Sequence, residues 1–291
     1  MKVAFLTAGG IAPCISAALG RLIKNYSEKD TDVTMVGYLH GYKGLLIGHS
    51  ISIGKDVINQ AEILYEYGGS PIGNSRVRLT NVDDCVKNGY IKDGDDPLKI
   101  AADQLIQDNV TILHPIGGDD TNTSAGELVD YLKKNNYDLT VIGLPKTVDN
   151  DVYPIQQTLG AWTAAEQGAV FFENIANENT TSSRQLIIHE VMGRNCGWLT
   201  AATAMEYRNR LGKREFLPSI LIEKKRWDVD AVYIPEMRID IVKETRRLKK
   251  RMDEKDSINI FLSEGAGVEN IIREMEKNHE ISEDNFKIEL D

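Results

Sequence analysis

The chain of 291 residues has few cysteines and no long apolar run, and each absence excludes a class of protein. Its three cysteines, Cys14, Cys85 and Cys196, are odd in number, far apart and without a CxxC pair. They fit a reducing cytoplasm better than a disulfide framework or a zinc site. The apolar stretches are strand-sized, far below the roughly 20 residues that a membrane-crossing helix needs. We therefore expect neither a transmembrane protein nor a disulfide-rich secreted domain.

The chain also lacks a surplus of positive charge. It carries 34 lysines and arginines against 44 aspartates and glutamates, a net charge of −10. This balance argues against general binding to nucleic acid or to an anionic membrane, although a local basic site for an anion remains possible. The first residues, MKVAFLTAGG, contain too short an apolar run for a secretory signal, and we expect them to form the first strand.

Apolar strand-like runs alternate with amphipathic helical patterns along the whole chain. A hydrophobic content of 42% and a charged content of 27% are typical of a globular protein. The alternation predicts an α/β fold with doubly wound, mainly parallel sheets and flanking helices. Because the runs are rich in Val, Ile and Leu, we expect the sheets to be covered on both faces. The predicted strands are 3–7, 34–39, 110–118, 139–145, 185–191, 231–236 and 258–265.

No low-complexity linker divides the chain, so a second domain must be woven from loops and later strands. We place the boundary after residue 150, giving domains 1–150 and 151–291. A long helix is expected after the VDND sequence. Its apolar residues recur at spacings of three, four or seven, which places them on one face: Leu159, Trp162, Ala169, Phe172 and Ala176.

The unusual residues follow strands, where ligands of open α/β sheets bind. In TAGGIAPC (7–14), Gly9 and Gly10 permit a turn and close approach to a ligand, and Pro13 stands where a helix would begin. Exposed N–H groups and the helix dipole then favour an anion. The alternative is a plain turn that needs glycine for its geometry.

Two adjacent carboxylates distinguish GGDDT (117–121). Asp119 and Asp120 are not expected in the core, because unpaired buried carboxylates are too unfavourable. Mg²⁺ bound to a phosphate group would compensate for their charge, since this cation accepts one or two carboxylates plus phosphate oxygens. The alternative is a solvated turn. Residues 121–124 are expected to cap the following helix.

GLPKTVDND (143–151) offers a cation, a hydroxyl and carboxylates within a short loop. Lys146 can stand near phosphate, Thr147 can orient an acceptor, and Asp149 can act as a base toward a hydroxyl group. The alternative is a polar turn, since Asn, Asp and Pro are common turn residues.

In HEVMGRNCGW (189–198), Met192, Gly193 and Arg194 follow another predicted strand. Arg194 suits bidentate contact with phosphate, and Gly193 and Gly197 indicate close backbone approach. His189 could act as a base, but its place inside an apolar strand favours a core histidine.

The order and spacing of these motifs, together with YIPE (233–236), resemble the phosphofructokinase family, and most closely its diphosphate-dependent members. The resemblance covers essentially the whole chain and implies two interwoven phosphofructokinase-like domains. Family members continue well beyond NFKIELD, so we expect the C-terminal part, with further residues for the sugar 6-phosphate, to be missing. The basic run 246–252 is interpreted as a solvated helix face, and no basic cluster for the 6-phosphate is evident after Glu236.

For the donor side, the resemblance implies one role for each matching residue. Gly10 would lie on the diphosphate, Asp119 would bind Mg²⁺, and Arg76 of GNSR would stabilise the transferring phosphoryl group. Thr147 and Asp149 would contact the sugar phosphate, and Asp149 would take the proton from its 1-hydroxyl. The domain 1–150 would thus bind diphosphate and Mg²⁺.

For the acceptor side, the resemblance implies a sugar-phosphate site in 151–291. Met192, Gly193 and Arg194 would hold the sugar phosphate, and Glu236 would bind sugar hydroxyls.

Two positions separate diphosphate-dependent members from ATP-dependent ones. The resemblance implies glycine at both positions in ATP-using members, whereas this chain has Asp120 and Lys146. Asp120 would project charge and bulk toward the place of a nucleotide, and Lys146 would compensate the charge and hold the diphosphate.

The implied reaction is reversible, Mg²⁺-dependent phosphoryl transfer. Fructose 6-phosphate and diphosphate would give fructose 1,6-bisphosphate and phosphate in glycolysis or gluconeogenesis, with a homodimer or homotetramer as the assembly. Two alternatives stay open. One is an ATP-dependent 6-phosphofructokinase, and the other is a truncated, non-catalytic subunit that binds phosphate compounds.

Overall fold

The computed structural model describes residues 1–10, 12–268, 270, 272 and 273. These residues form two compact units, which divide between Thr163 and Ala164. The segment NFKIELD lies outside the described residues. No helix in the described part of the chain is long and apolar enough to cross a membrane.

The first unit is built around one mixed sheet. Its strands are β1 (Lys2–Thr7), β2 (Thr34–Tyr38), β3 (Ser50–Ile53), β4 (Ile112–Gly117), β5 (Thr140–Val141), β6 (Leu144–Thr147) and β7 (Leu159–Gly160). Its helices are α1 (Ile15–Lys29), α2 (Tyr42–Leu46), α3 (Lys55–Asn59), α4 (Val82–Lys87), α5 (Pro97–Gln107) and α6 (Asp119–Lys134).

The strand order is β3-β2-β1-β4-β6-β7, with β5 also paired to β4. Every pair is parallel except β2 with β3. Successive residues of β1 enter different cores, since Val3 and Phe5 pack with α1 and Ala4 and Leu6 pack in the cluster that contains α5 and α6 residues. Helices therefore cover both faces of the sheet, and the prediction of a doubly wound, mainly parallel fold is confirmed. The carboxyl ends of β1, β4 and β6 are neighbours.

The second unit has a smaller sheet in the order β8-β10-β9, which is parallel throughout. Its elements include most of α7 (Ala161–Ala176), then β8 (Gln185–Val191), α8 (Trp198–Gly212), α9 (Lys224–Trp227), β9 (Ala231–Tyr233), α10 (Ile241–Lys255) and β10 (Ser257–Ser263). Phe172 and Tyr207 pack against Phe261 on one face of this sheet. Ile258 and Ile260 pack with α10 residues on the other.

Three sequence predictions were wrong. Helix α6 begins at Asp119, so Gly118 is its N-cap and residues 121–124 lie inside the helix. Leu159, which was placed on the long helix with Trp162, belongs to β7 instead, and Trp162 is 45% exposed. Full coverage of the strands fails at β8, where Leu186 and Ile188 are exposed on alternate positions.

Candidate active site

Hydrogen bonds to residues 74 and 75 fix the backbone of the loop after β1. The Gly9 N–H group donates to the Ser75 carbonyl at 2.8 Å, and Asn74 Nδ2 donates to the carbonyls of Gly9 and Gly10, each at 3.4 Å. Gly9 has a φ of +79°, a conformation that favours glycine. A Cβ atom on Gly10 would meet no atom within 4 Å, so the backbone there is open to a ligand.

The loop between β4 and α6 needs its glycines for space. Asn122 Nδ2 donates to the carbonyls of Gly117 at 2.7 Å and Gly118 at 2.9 Å, which fixes the end of the strand. A Cβ atom on Gly117 would collide with the side chain of Thr121. This packing places the first turn of α6, with Asp119 at its start, directly at the carboxyl end of β4.

The two adjacent carboxylates have different surroundings. Both stand in the first turn of α6, where the positive end of the helix dipole favours them. Arg78 Nη2 lies 2.6 Å from Asp120 Oδ2, so a cation of the chain pairs with that carboxylate. Loss of hydration, followed by the charges of Asp151 and Asp120, raises the pKa of Asp119. Asp119 therefore has like charges near it.

Lys146 on β6 is a buried cation. Lys146 is only 3% exposed, and its ammonium group donates a hydrogen bond to the Gly10 carbonyl. Burial lowers the pKa of Lys146. Among the described residues it has no acidic partner within ion-pair distance. A buried ammonium without a counter-charge is unfavourable, so an anion bound at the β1 loop would complete this site.

The loop after β6 is fixed by hydrogen bonds from the segment that enters β7. Thr158 Oγ1 donates to the Thr147 carbonyl at 2.7 Å, and the Thr158 N–H group donates to Asn150 Oδ1 at 2.8 Å. The Asp149 N–H group donates to Thr147 Oγ1 at 3.1 Å. Thr147 and Asp149 are thereby held on one short turn beside Lys146.

The predicted phosphoryl-stabilising arginine follows the loop that supports Gly9. Arg76 is exposed and forms no ion pair with the described part of the chain. Its cationic group is available to a ligand. The structure also adds two residues that were missed in the sequence, Arg78 and Asp151. The alternation of apolar and basic residues after GNSR could have indicated Arg78, and the second aspartate of VDND could have indicated Asp151.

Within the described ranges, no group of three or more His, Cys, Asp or Glu side chains is arranged to hold a metal ion. The charges that contribute to the raised pKa of Asp119 are the carboxylates of Asp151 and Asp120. One or two carboxylates completed by phosphate oxygens and water are the usual surroundings of Mg²⁺, so the residues fit a cation that arrives with a phosphate compound.

In the second unit, the loops after β8, β9 and β10 line a cavity of about 860 Å³. Arg194 and Glu236, both singled out in the sequence, lie on its wall, and Arg238 and Arg273 lie there too. Neither Arg194 nor Arg238 pairs with an acidic side chain among the described residues. Arg238 and Arg273 follow Glu236 and are far apart in sequence, yet the fold places both on the wall of the same cavity.

Close backbone packing shapes this cavity. Gly193 has a φ of +137°, and a Cβ atom on Gly265 would collide with the Arg194 carbonyl. The Gly197 N–H group donates to Glu236 Oε1 at 2.8 Å. The loop after β8 is thus tied to the loops after both other strands. Met192 precedes Gly193 and is 62% exposed.

His189 packs among aromatic rings rather than in the cavity. Its ring centroid lies 5.3–5.9 Å from those of Phe171, Phe172 and Phe261. Burial lowers the pKa of His189. These surroundings favour the core interpretation over a catalytic one.

Two sets of strand ends in α/β sheets, one rich in anion-binding groups and one lined by arginines, are the features of a phosphoryl-transfer protein. The chain belongs to the phosphofructokinase family, whose family description, Phosphofructokinase, matches residues 2–289.

Relatives with high identity match the chain over its whole length. It is 56% identical to the pyrophosphate–fructose 6-phosphate 1-phosphotransferase of Methylotuvimicrobium alcaliphilum and 58% identical to the one of Methylomonas methanica. Each match covers 100% of this chain and 71% of the relative.

A solved structure shows the same fold. The pyrophosphate-dependent phosphofructokinase of Marinobacter aquaeolei superimposes with a TM-score of 0.69 at 23% identity. The match covers 96% of this chain and 65% of that one, so the chain spans just under two thirds of the solved protein.

Proposed function

We propose that the protein transfers a phosphoryl group from diphosphate to the 1-hydroxyl of fructose 6-phosphate, giving fructose 1,6-bisphosphate and phosphate. The observation that carries this proposal is the buried Lys146 ammonium, which has no acidic partner among the described residues and reaches the Gly10 loop. The names of the relatives with 56% and 58% identity support the same activity.

Diphosphate, rather than ATP, is the donor that these surroundings favour. Lys146 supplies a fixed positive charge, and the open backbone at Gly10 accepts a small anion. Asp120 stands at the start of α6 and adds both charge and bulk there. A nucleotide would need to fit its inner phosphate and ribose against that carboxylate, which disfavours ATP.

The acceptor is activated by Asp149 in this proposal. Its carboxylate takes the proton of the attacking hydroxyl, while Thr147 holds the turn that presents it. Arg76 and Lys146 offset the charge that spreads over the transferring phosphoryl oxygens. Phosphoryl transfer depends mainly on such positioning and charge compensation.

Mg²⁺ belongs to the proposal because of the charges around Asp119. Asp119 would hold the cation, with Asp151 as its neighbour. When bound, Mg²⁺ neutralises phosphate oxygens and orients the donor for displacement.

The cavity of the second unit would bind the sugar phosphate. Arg194 and Arg238 supply guanidinium groups that suit a phosphate dianion. Glu236 keeps one oxygen on the Gly197 N–H group and lies in the same wall, where a carboxylate can accept hydrogen bonds from sugar hydroxyls. Met192 and Gly193 complete the loop. A homodimer or homotetramer and a cytoplasmic location remain predictions from the sequence.

The donor preference tests the roles of Asp120 and Lys146. We expect the double variant Asp120→Gly/Lys146→Gly to shift the ratio of kcat/KM values toward ATP by about tenfold or more, a change equivalent to roughly 1.4 kcal/mol of differential binding. The measurement is fructose 1,6-bisphosphate formation with each donor.

A matched control is Asp130→Gly, which places glycine in the same helix at an exposed position away from the donor loops. It should lower helix stability by about 1 kcal/mol without changing the donor ratio. An unchanged ratio in the double variant would contradict the assigned roles.

The buried Lys146 should make kcat/KM for diphosphate depend on pH. Because burial lowers its pKa, the free enzyme should lose this cation at a pH below the ordinary lysine value of 10.5. The value of kcat/KM for diphosphate should therefore fall on the alkaline side with a midpoint below 10.5. Between the lowered pKa of Lys146 in the folded protein and its ordinary pKa in the unfolded chain, the unfolded chain binds more protons. The free energy of unfolding therefore rises with pH in this range, and deprotonation of Lys146 would not lower activity by unfolding the protein.

Lys146→Arg provides the comparison, since a guanidinium keeps its proton throughout this range. Its alkaline limb should move to higher pH. A profile in which wild type and Lys146→Arg share the same alkaline midpoint would assign the titration to another group.

A further inference from the structure

The segment that follows GNSR presents basic residues at alternate positions. Val77 and Leu79 are buried in the core of the first unit, with 8% and 1% exposure. Arg76, which precedes Val77, and Arg78, which lies between Val77 and Leu79, are exposed. The register of this segment, set by its buried residues, therefore directs both arginines outward.

Helix α6 fixes the position of this segment through a hydrogen bond to its backbone. The Leu79 N–H group donates to Ser124 Oγ at 3.2 Å, and Ser124 is fully buried. Ser124 stands four residues after Asp120, so the two lie one helical turn apart on the same side of α6. One side of α6 thus contacts the backbone at Leu79 and the guanidinium of Arg78.

The ion pair that results does little for stability. The side chains of Arg78 and Asp120 are 52% and 60% exposed, although Arg78 Nη2 and Asp120 Oδ2 are 2.6 Å apart. Exposed pairs of this kind contribute little to folding. Their effect is local, because Arg78 fixes the direction of the Asp120 carboxylate and offsets its charge.

We propose that Arg78 is a positioning residue for the choice of donor. It holds Asp120 where its bulk excludes a nucleotide, and it compensates the carboxylate so that diphosphate is not repelled. Asp119 is then left for the cation that accompanies the donor. This inference rests on the proposed function and adds a residue that neither the motifs nor the comparisons assign.

A double-variant cycle tests the proposal through binding and turnover. The proteins are wild type, Arg78→Met, Asp120→Asn and Arg78→Met/Asp120→Asn, and the probe is diphosphate with Mg²⁺ in titration calorimetry. We expect Arg78→Met to raise the Kd for diphosphate about fivefold, with kcat at saturating donor changed less than twofold. In the Asp120→Asn background, where no charge needs compensation, the same change should have little effect.

Arg78→Lys separates charge from geometry. It should recover most of the affinity, because an ammonium offsets the charge, but less of the discrimination against ATP, because it lacks the rigid fork of the guanidinium. The unfolding midpoints of all variants should stay close to that of wild type, because the pair is exposed.

Three outcomes would overturn the inference. An equal loss of affinity in the wild-type and Asp120→Asn backgrounds would mean that Arg78 contacts the donor directly. An unchanged Kd in Arg78→Met would mean that Arg78 has no part in donor binding. If wild type still prefers diphosphate, either of these two results would rule out the role of Arg78 and leave the proposed function in place. A wild-type preference for ATP would overturn the proposed function together with it.

Discussion

Asp149→Asn should reduce kcat by about 10²–10⁴-fold while sugar-phosphate binding persists. Asparagine matches the size of aspartate and leaves the backbone N–H group free to donate to Thr147 Oγ1, as it does in wild type at 3.1 Å. It cannot accept the proton of the attacking hydroxyl. The change therefore removes the proposed base without removing the turn that carries it. The measurement is kcat at saturating diphosphate and fructose 6-phosphate, alongside calorimetric titration of each substrate.

The control for this variant is Asp130→Asn, which alters an exposed aspartate on α6. Its kcat should match that of wild type. If Asp149→Asn retained more than a tenth of the wild-type kcat, Asp149 would not be the base, and the role would pass to another group near the acceptor.

The largest expected effect on stability lies in the second unit, at a buried ion pair. Lys255 Nζ lies 2.7 Å from Asp230 Oδ2, and the two side chains are 2% and 0% exposed. Lys255 also donates to the carbonyls of Lys225 at 2.8 Å and Asp228 at 3.2 Å. Lys255→Met leaves the Asp230 carboxylate buried without its closest counter-charge. We expect the free energy of unfolding of this unit to fall by about 3–5 kcal/mol.

Denaturant unfolding of the full chain measures the change, with Lys250→Met as the control. Lys250 forms an exposed pair with Glu254 on the same helix, at 3.9 Å and 79% exposure of the lysine side chain. Its replacement should change stability by less than about 0.5 kcal/mol. Equal effects of Lys255→Met and Lys250→Met would show that burial does not set the strength of the pair.

The fold could be predicted from the sequence because its strands are short, apolar and regularly followed by helices. The prediction for β8 matched its bounds, Gln185–Val191, and the prediction for β1 missed by one residue. Exposure of β8 was not predictable, because its exposed positions carry Leu186 and Ile188, so the strand lacks the apolar and polar alternation that marks a half-covered strand. The start of α6 was missed because adjacent aspartates suggested a loop, whereas the helix dipole and Arg78 stabilise them inside its first turn.

The candidate site was predictable where one short segment carries the chemistry. Lys146, Thr147 and Asp149 share such a segment, and their positions follow from the end of β6. Contacts between distant segments were not predictable in this way. Arg78 reaches Asp120 across 42 positions of the sequence, and Arg238 lines the same cavity as Arg194 because β8 and β9 flank β10. Residues that act through tertiary contacts leave little trace in a local pattern.

One assay of the wild-type chain tests whether diphosphate is the phosphoryl donor. The protein is mixed with fructose 6-phosphate and Mg²⁺, diphosphate or ATP is supplied in parallel, and fructose 1,6-bisphosphate is followed over time. We expect product with diphosphate and, with ATP, a rate at least tenfold lower. Product with ATP at a rate equal to or above that with diphosphate would contradict it.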